Sequence, residues 1–201
     1  MHKGTIILWL AFLFAAIITL FWRNEYVYSL PTPVPENYRD VQTGAAIVLP
    51  GTVKTGDNNP VFLHFFNPAC PCSKFNIPHF RSLVKQYGDK VNFMIVPLSN
   101  EKYSVKNIQE KFDLDIPVLS DTSLAALCGV YSTPQAVIIE AGHKLYYRGN
   151  YNKSRYCTDK KSEYARIALE ALFRKDPYMS FDRFALKAYG CQLPKCTDNG
   201  K

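Results

Sequence analysis

Three features of the sequence predict an α/β fold behind a membrane helix. Buried-strand and helix patterns alternate between residues 61 and 128, an apolar hairpin follows them, and one uncharged apolar run stands alone at the N-terminus. Alternation of this kind builds a parallel sheet with helices on its faces. The hairpin adds antiparallel strands, so a central mixed sheet flanked by helices is expected.

Residues 5–22, TIILWLAFLFAAIITLFW, form the N-terminal apolar run. About 20 residues cross a bilayer core of roughly 30 Å, whereas the apolar stretch of a signal peptide spans only about 7–15. No small-x-small cleavage site follows, since the next residues are Arg23, Asn24 and Glu25. An uncleaved signal anchor over residues 1–24 is the reading, with Trp22, Tyr26 and Tyr28 in the interfacial aromatic belt. A cleaved signal peptide is the alternative; both export the rest of the chain. Lys3 and Arg23 lie on opposite sides of the run, so the cysteines, not the charges, place the remainder in an oxidising, extracytoplasmic (periplasmic) compartment.

Residues 25–40 contain the segment SLPTPVPEN, an extended Pro-rich spacer expected to hold the folded part off the membrane. Ala45–Leu49 is a candidate first strand. Val61–Phe66 (VFLHFF) is a continuous apolar run between Asn59-Pro60 and Asn67-Pro68 and reads as a buried strand. Ser73–Tyr87 has helical spacing, ends at Gly88 and should kink at Pro78. Val91–Leu98 is a second buried strand, Lys102–Phe112 a helix and Leu124–Cys128 a short helix. Gln135–Glu140 and Lys144–Tyr147 form the hairpin across Ala141-Gly142. Ser162–Arg174 carries an apolar stripe and closes a domain spanning 41–176. The extension 177–201 holds two cysteines and a possible helix over Phe181–Tyr189.

The chain has 201 residues, 47% of them apolar, and a formal net charge of +7. Its Lys and Arg residues interleave with acids and form no basic block or aromatic-basic stripe. That describes a solvated surface and argues against a nucleic-acid partner. The six cysteines are Cys70, Cys72, Cys128, Cys157, Cys191 and Cys196. Their spacing matches no zinc finger, and neither a metal site nor a cofactor is expected.

The order of elements, with a cysteine loop after the first buried strand, resembles the thioredoxin fold over about residues 45–175. Membrane-tethered members carry an FW-x-x-W-C-P-x-C pattern; here the residues are Phe65-Phe66-Asn67-Pro68-Ala69-Cys70-Pro71-Cys72-Ser73. Cys70 and Pro71 fall on the first Cys and its Pro, Ser73 falls on the second Cys, and Cys72 comes one residue early. Ser132-Thr133-Pro134, directly before QAVIIE, matches the family's cis-proline loop. The resemblance implies a thiol-disulfide oxidoreductase acting on protein thiols and disulfides. Thr133 would then lie beside Cys70 and pair with an extended substrate segment.

Disulfide exchange needs a thiolate. A helix N-terminus offers unpaired N–H groups and a favourable dipole, which suits Cys70 as an exposed nucleophile, and Pro71 suits the first helical turn. Cys72 is one candidate resolving thiol; a distal cysteine is the other. Cys128 is read either as facing the site or as a small core residue. Cys157 and Cys191 are expected to form a structural bridge tying down the tail, with pairings among Cys157, Cys191, Cys196 and Cys70 left open. His64 is expected as a satisfied core histidine. His79, Arg148 and Arg155 are expected at the surface, and Lys74 either steadies a thiolate or is solvated. Two other functions stay open on the same fold. One is a thiol peroxidase, although Asn67 stands where such enzymes carry Thr or Ser. The other is a copper-binding assembly factor, because soft thiolates select Cu(I).

Overall fold

A computed structural model describes residues 3–26, 29–53, 59–99, 101–113, 115–176 and 179–193. Strand β1 (Val61–Phe66) is buried along its whole length. It pairs in parallel with β2 (Asn92–Pro97), Val61 lying opposite Asn92, and antiparallel with β4 (Gln135–Ile139), Val61 lying opposite Ile139. With β5 (Leu145–Gly149) the sheet runs β2-β1-β4-β5. This is the mixed sheet the alternation predicts. The parallel pair needs a long crossover, and α2 (Pro71–Tyr87) supplies it.

Side chains alternate across a strand, so β1 feeds two cores. Phe62 and Phe66 pack with Phe80 and Leu83 of α2 and with Ala168 and Leu169 of α5 (Tyr164–Phe173). Leu63 and Phe65 face the other way, onto Val137, Ile139 and Leu124 of α4 (Ser123–Leu127). α3 (Val105–Phe112) begins at Ser104, whose hydroxyl accepts from the Asn107 N–H. Such caps are worth about 1 kcal/mol.

The N-terminal helix α1 (Lys3–Phe21) continues as a π-helical turn over Trp22–Tyr26. Together they make one exposed helix of 24 residues whose most apolar 18-residue stretch has mean hydropathy 2.5, long and apolar enough to cross a membrane. Tyr28 lies outside the described residues.

Several boundaries differ from expectation. Ala45–Leu49 is no strand: Ala46 makes a single bridge to Lys144, although Gly44 and Ile47 also donate to the carbonyls of Leu145 and His143. Apolar content there signals burial of Ile47, not a long ladder. α2 starts two residues earlier than read, at Pro71, and runs through Pro78 to Tyr87 as read. The last helix, α6 (Arg183–Leu186), is shorter than expected because Lys187 turns extended. The Pro-rich segment is not a free spacer. Pro31 bridges Tyr189, and the Thr32 N–H donates to the Ala188 carbonyl.

Candidate functional site

The C-terminal end of β1 delivers the chain into a tight turn. The Asn67 side chain accepts from the Ala69 N–H, and the Cys70 N–H donates to the Asn67 carbonyl. Cys70 is the extended N-cap residue of α2, with Pro71 in the first turn. There the orphan N–H groups and the helix dipole favour a thiolate. Ser73, buried, accepts from the Asn67 N–H at 3.0 Å. The residue in the second-cysteine position therefore braces the turn.

Opposite this turn, the Thr133–Pro134 peptide is cis. Thr133 belongs to β3 (Ser132–Thr133), which pairs antiparallel with β6 (Cys191–Gln192), Thr133 opposite Cys191 and Ser132 opposite Gln192. Cys191 is joined to Cys70 by a disulfide that closes a separation of 121 residues, with Cα atoms 6.7 Å apart. The C-terminal tail thus lies along the edge expected to receive substrate. Cys70 is accordingly buried rather than exposed, because its own tail covers it.

Cys72 is buried and free. The sulfurs of Cys70, Cys72 and Cys191 lie within 4.8 Å of one another. Burial raises the Cys72 thiol above its ordinary range, and the Arg155 guanidinium opposes that rise. Arg155 is not a loose surface residue: it donates to Glu25 at 3.1 Å and its side chain is mostly buried. A pocket of about 310 Å³ opens beside these groups, lined among others by Cys72, Asn76, Pro134, Arg155, Cys157 and Gly190. Asn76 links two of the cysteines. Its amide donates to the Cys72 carbonyl at 3.0 Å, and its Oδ1 accepts from the Cys157 thiol at 2.9 Å.

The remaining expectations divide. The Cys157–Cys191 bridge does not form: Cys157 is a free thiol, pushed up to about 12 by burial. Cys128 is a core residue in the cluster with Leu63 and Phe65, also pushed up to about 12 by burial. It does not join the site. Cys196 lies outside the described residues. His64 is buried, its Nδ1 2.6 Å from the Tyr151 hydroxyl, and burial lowers it to about 3. Its Nε2 finds no partner among the described residues, so it is a core histidine only half satisfied. His79 is buried, not exposed, with Nδ1 3.6 Å from Glu163. Arg148 is tied down by Asp40 at 2.9 Å and the Val41 carbonyl at 2.8 Å. Lys74 is exposed.

Sequence reasoning missed Thr32, Asn76 and Gly190. The Thr32 hydroxyl lies 2.9 Å from the Ser132 hydroxyl and donates to the Gly190 carbonyl at 3.2 Å, which clamps the tail from its far side. A Gly directly before a Cys was the one local signal available; Thr32 and Asn76 offered none.

A cysteine at the start of the helix after the first sheet strand, facing a cis-proline loop across a mixed four-stranded sheet, defines the thioredoxin-like fold. Within it the chain belongs to the family described as a domain of unknown function, DUF6436, which matches residues 40–192. None of the curated proteins matches it. Among solved structures it is similar to a hypothetical protein from Sinorhizobium meliloti 1021, with 14% identity and a TM-score of 0.61, covering 78% of this chain and 96% of that one. It is also similar to an uncharacterized conserved protein from Geobacillus kaustophilus, with 19% identity and a TM-score of 0.61, covering 83% and 100%. A thiol:disulfide interchange protein of the thioredoxin family from Chlorobium tepidum TLS is similar at 17% identity and a TM-score of 0.48, over 67% and 99%.

Proposed function

We propose that this chain is a membrane-anchored, extracytoplasmic thiol-disulfide oxidoreductase acting on protein thiols and disulfides, with Cys70 as nucleophile and Cys191 as resolving thiol. Residues 1–24 anchor it, 25–40 connect, 41–176 carry the catalytic unit and 177–201 supply the resolving arm. One observation carries the reading. Cys191 is both disulfide-bonded to Cys70 and strand-paired to Thr133, the residue before the cis-proline. In the reduced protein the Cys70 thiolate attacks a substrate disulfide. A Cys70–substrate bond forms, and the other substrate sulfur leaves as a thiolate. The Cys191 thiolate then attacks Cys70, restores Cys70–Cys191 and releases the second substrate thiolate, so two electrons pass from the protein dithiol to the substrate.

A dithiol-driven insulin reduction assay on the full chain tests this. Cys70→Ser should lose at least 100-fold in rate. Cys191→Ser should accumulate a mixed disulfide on Cys70 and stall, while Cys72→Ser turns over. Unchanged activity in Cys70→Ser would remove the assignment.

A second reading is favoured by the three clustered sulfurs: once reduced, they offer soft ligands suited to Cu(I). Anaerobic Cu(I) titration of reduced protein, with and without Cys72→Ser, separates the two. Stoichiometric binding that needs Cys72 supports a carrier, and no binding leaves the oxidoreductase.

A further inference from the structure

The tail meets the cis-proline loop in an unusually confined way just before its cysteine. Gly190 has φ +148°, a conformation that side-chain-bearing residues rarely adopt. A Cβ there would come within 2.3 Å of the Thr133 carbonyl oxygen and 3.3 Å of the Ser132 hydroxyl. The Thr133 oxygen is main chain on a strand next to the buried cis-proline loop, so it cannot swing aside as a flexible side chain would. Thr32 fixes the same residue from the other side through the Gly190 carbonyl. Beyond Gly190 the ladder continues normally: the Ser132 hydroxyl donates to the Cys191 carbonyl at 3.3 Å, and Gln192 is exposed. The groove therefore leaves no room for a side chain on the residue before the cysteine, while the side chain of the residue after it is exposed.

We propose that Gly190-Cys191-Gln192 is a built-in copy of the bound substrate, and that the groove selects extended polypeptides in which glycine directly precedes the reacting cysteine. The proposal rests on the oxidoreductase reading above and names its substrate class. Tail and substrate occupy the same edge of β3, so each turnover exchanges one for the other. The covalent step forms a Cys70–S(substrate) bond as the substrate's former partner sulfur leaves as a thiolate. The returning Cys191 then breaks that bond, and no oxidant beyond the substrate disulfide is needed.

The test is a competition on the reduced full chain carrying both Gly190→Ala and Cys191→Ser, a tail that can neither seat nor bond. Equal amounts of two capped peptides, Tyr-Gly-Cys-Gln-Leu and Tyr-Ala-Cys-Gln-Leu, are equilibrated with it in a thiol/disulfide buffer. Mass spectrometry after peptide mapping reads the two adducts on Cys70. The S–S chemistry is the same for both peptides, so their ratio reports the groove alone. The expected ratio favours the glycine peptide at least tenfold, falling to about one in denaturant, where only the shared exchange chemistry remains. A ratio near one in the folded protein overturns the selectivity and leaves the oxidoreductase reading standing. Absence of both adducts on Cys70, while both peptides exchange with the buffer, overturns the selectivity and the oxidoreductase reading together. Independently, Gly190→Ala alone should shift the Cys70–Cys191 equilibrium toward the dithiol at least tenfold; an unchanged equilibrium contradicts the clash.

Discussion

The two sheets among the described residues are held by different forces. In the four-stranded sheet, β1 is bonded on both edges over five or six residues and buried on both faces. The second sheet has two residues per strand, and its tail strand is half-exposed. Burial holds the first; in the second, a covalent bond, a hydroxyl clamp and a few main-chain hydrogen bonds hold the tail strand. Only the second can be opened by thiol chemistry without dismantling the fold, which is the property a resolving arm needs.

The largest expected effect breaks the first sheet. Phe80 is fully buried between Phe62 and His64. Phe80→Ala should cost about 3–5 kcal/mol in chemical denaturation. Cys191→Ser comes next. Removing a crosslink over 121 residues should cost up to about 4–5 kcal/mol in the chain-entropy account, acting through the unfolded state. The two differ in hydrogen exchange under native conditions. Phe80→Ala should speed exchange most across β1 and β2, whereas Cys191→Ser should speed it most at residues 188–193, by local opening on top of the rise that lower global stability brings to every core amide. Matching exchange maps would erase the distinction between the two sheets.

A smaller effect separates them by pH. His64 sits in β1 and is lowered to about 3 by burial, with His79 adding to the shift; His79 is itself lowered by burial, opposed by Glu163. A buried base with a depressed value binds fewer protons folded than unfolded, so stability is whole above about pH 6.5 and falls as the pH drops from there toward 3. The steepest slope per histidine is about 1.4 kcal/mol per pH unit. His64→Phe should flatten the slope of denaturation midpoint against pH between 6.5 and 4, leaving the part owed to His79. A slope unchanged by the substitution would mean that His64 is not held neutral in β1.

The sheet was far more legible than the site. VFLHFF between two Asn-Pro pairs is long enough and apolar enough that burial alone fixes it as β1, and it spans Val61–Phe66 as read. The motif Ser132-Thr133-Pro134 likewise sits where local sequence puts it. The rest of the site depends on residues brought together over long separations. Cys191 meets Cys70 across 121 positions, and six cysteines allow 15 full pairings, so sequence could not choose among them. His79 looked exposed from its place on α2; Glu163, directly before α5, and Tyr151 lie against it, and neither contact is encoded locally. Arg155 reached the Cys72 pocket through Glu25, 130 positions away.

The smallest predicted effect is the most specific to the second sheet. Thr32 is buried, and its hydroxyl touches both Ser132 and Gly190. Thr32→Val keeps the shape and removes both contacts, while Ser132 keeps its bond to the Cys191 carbonyl. A net loss of about 1 kcal/mol is expected from neutral hydrogen bonds of this kind. Because the lost contacts hold the tail and nothing in the large sheet, the loss should appear as easier tail opening. Dilute dithiol should then reduce Cys70–Cys191 about fivefold faster, as 1 kcal/mol of opening free energy implies. Hydrogen exchange in β1 should stay unchanged. If Thr32→Val slowed nothing and sped nothing at the disulfide yet loosened β1, the linker would be bracing the core and not the tail.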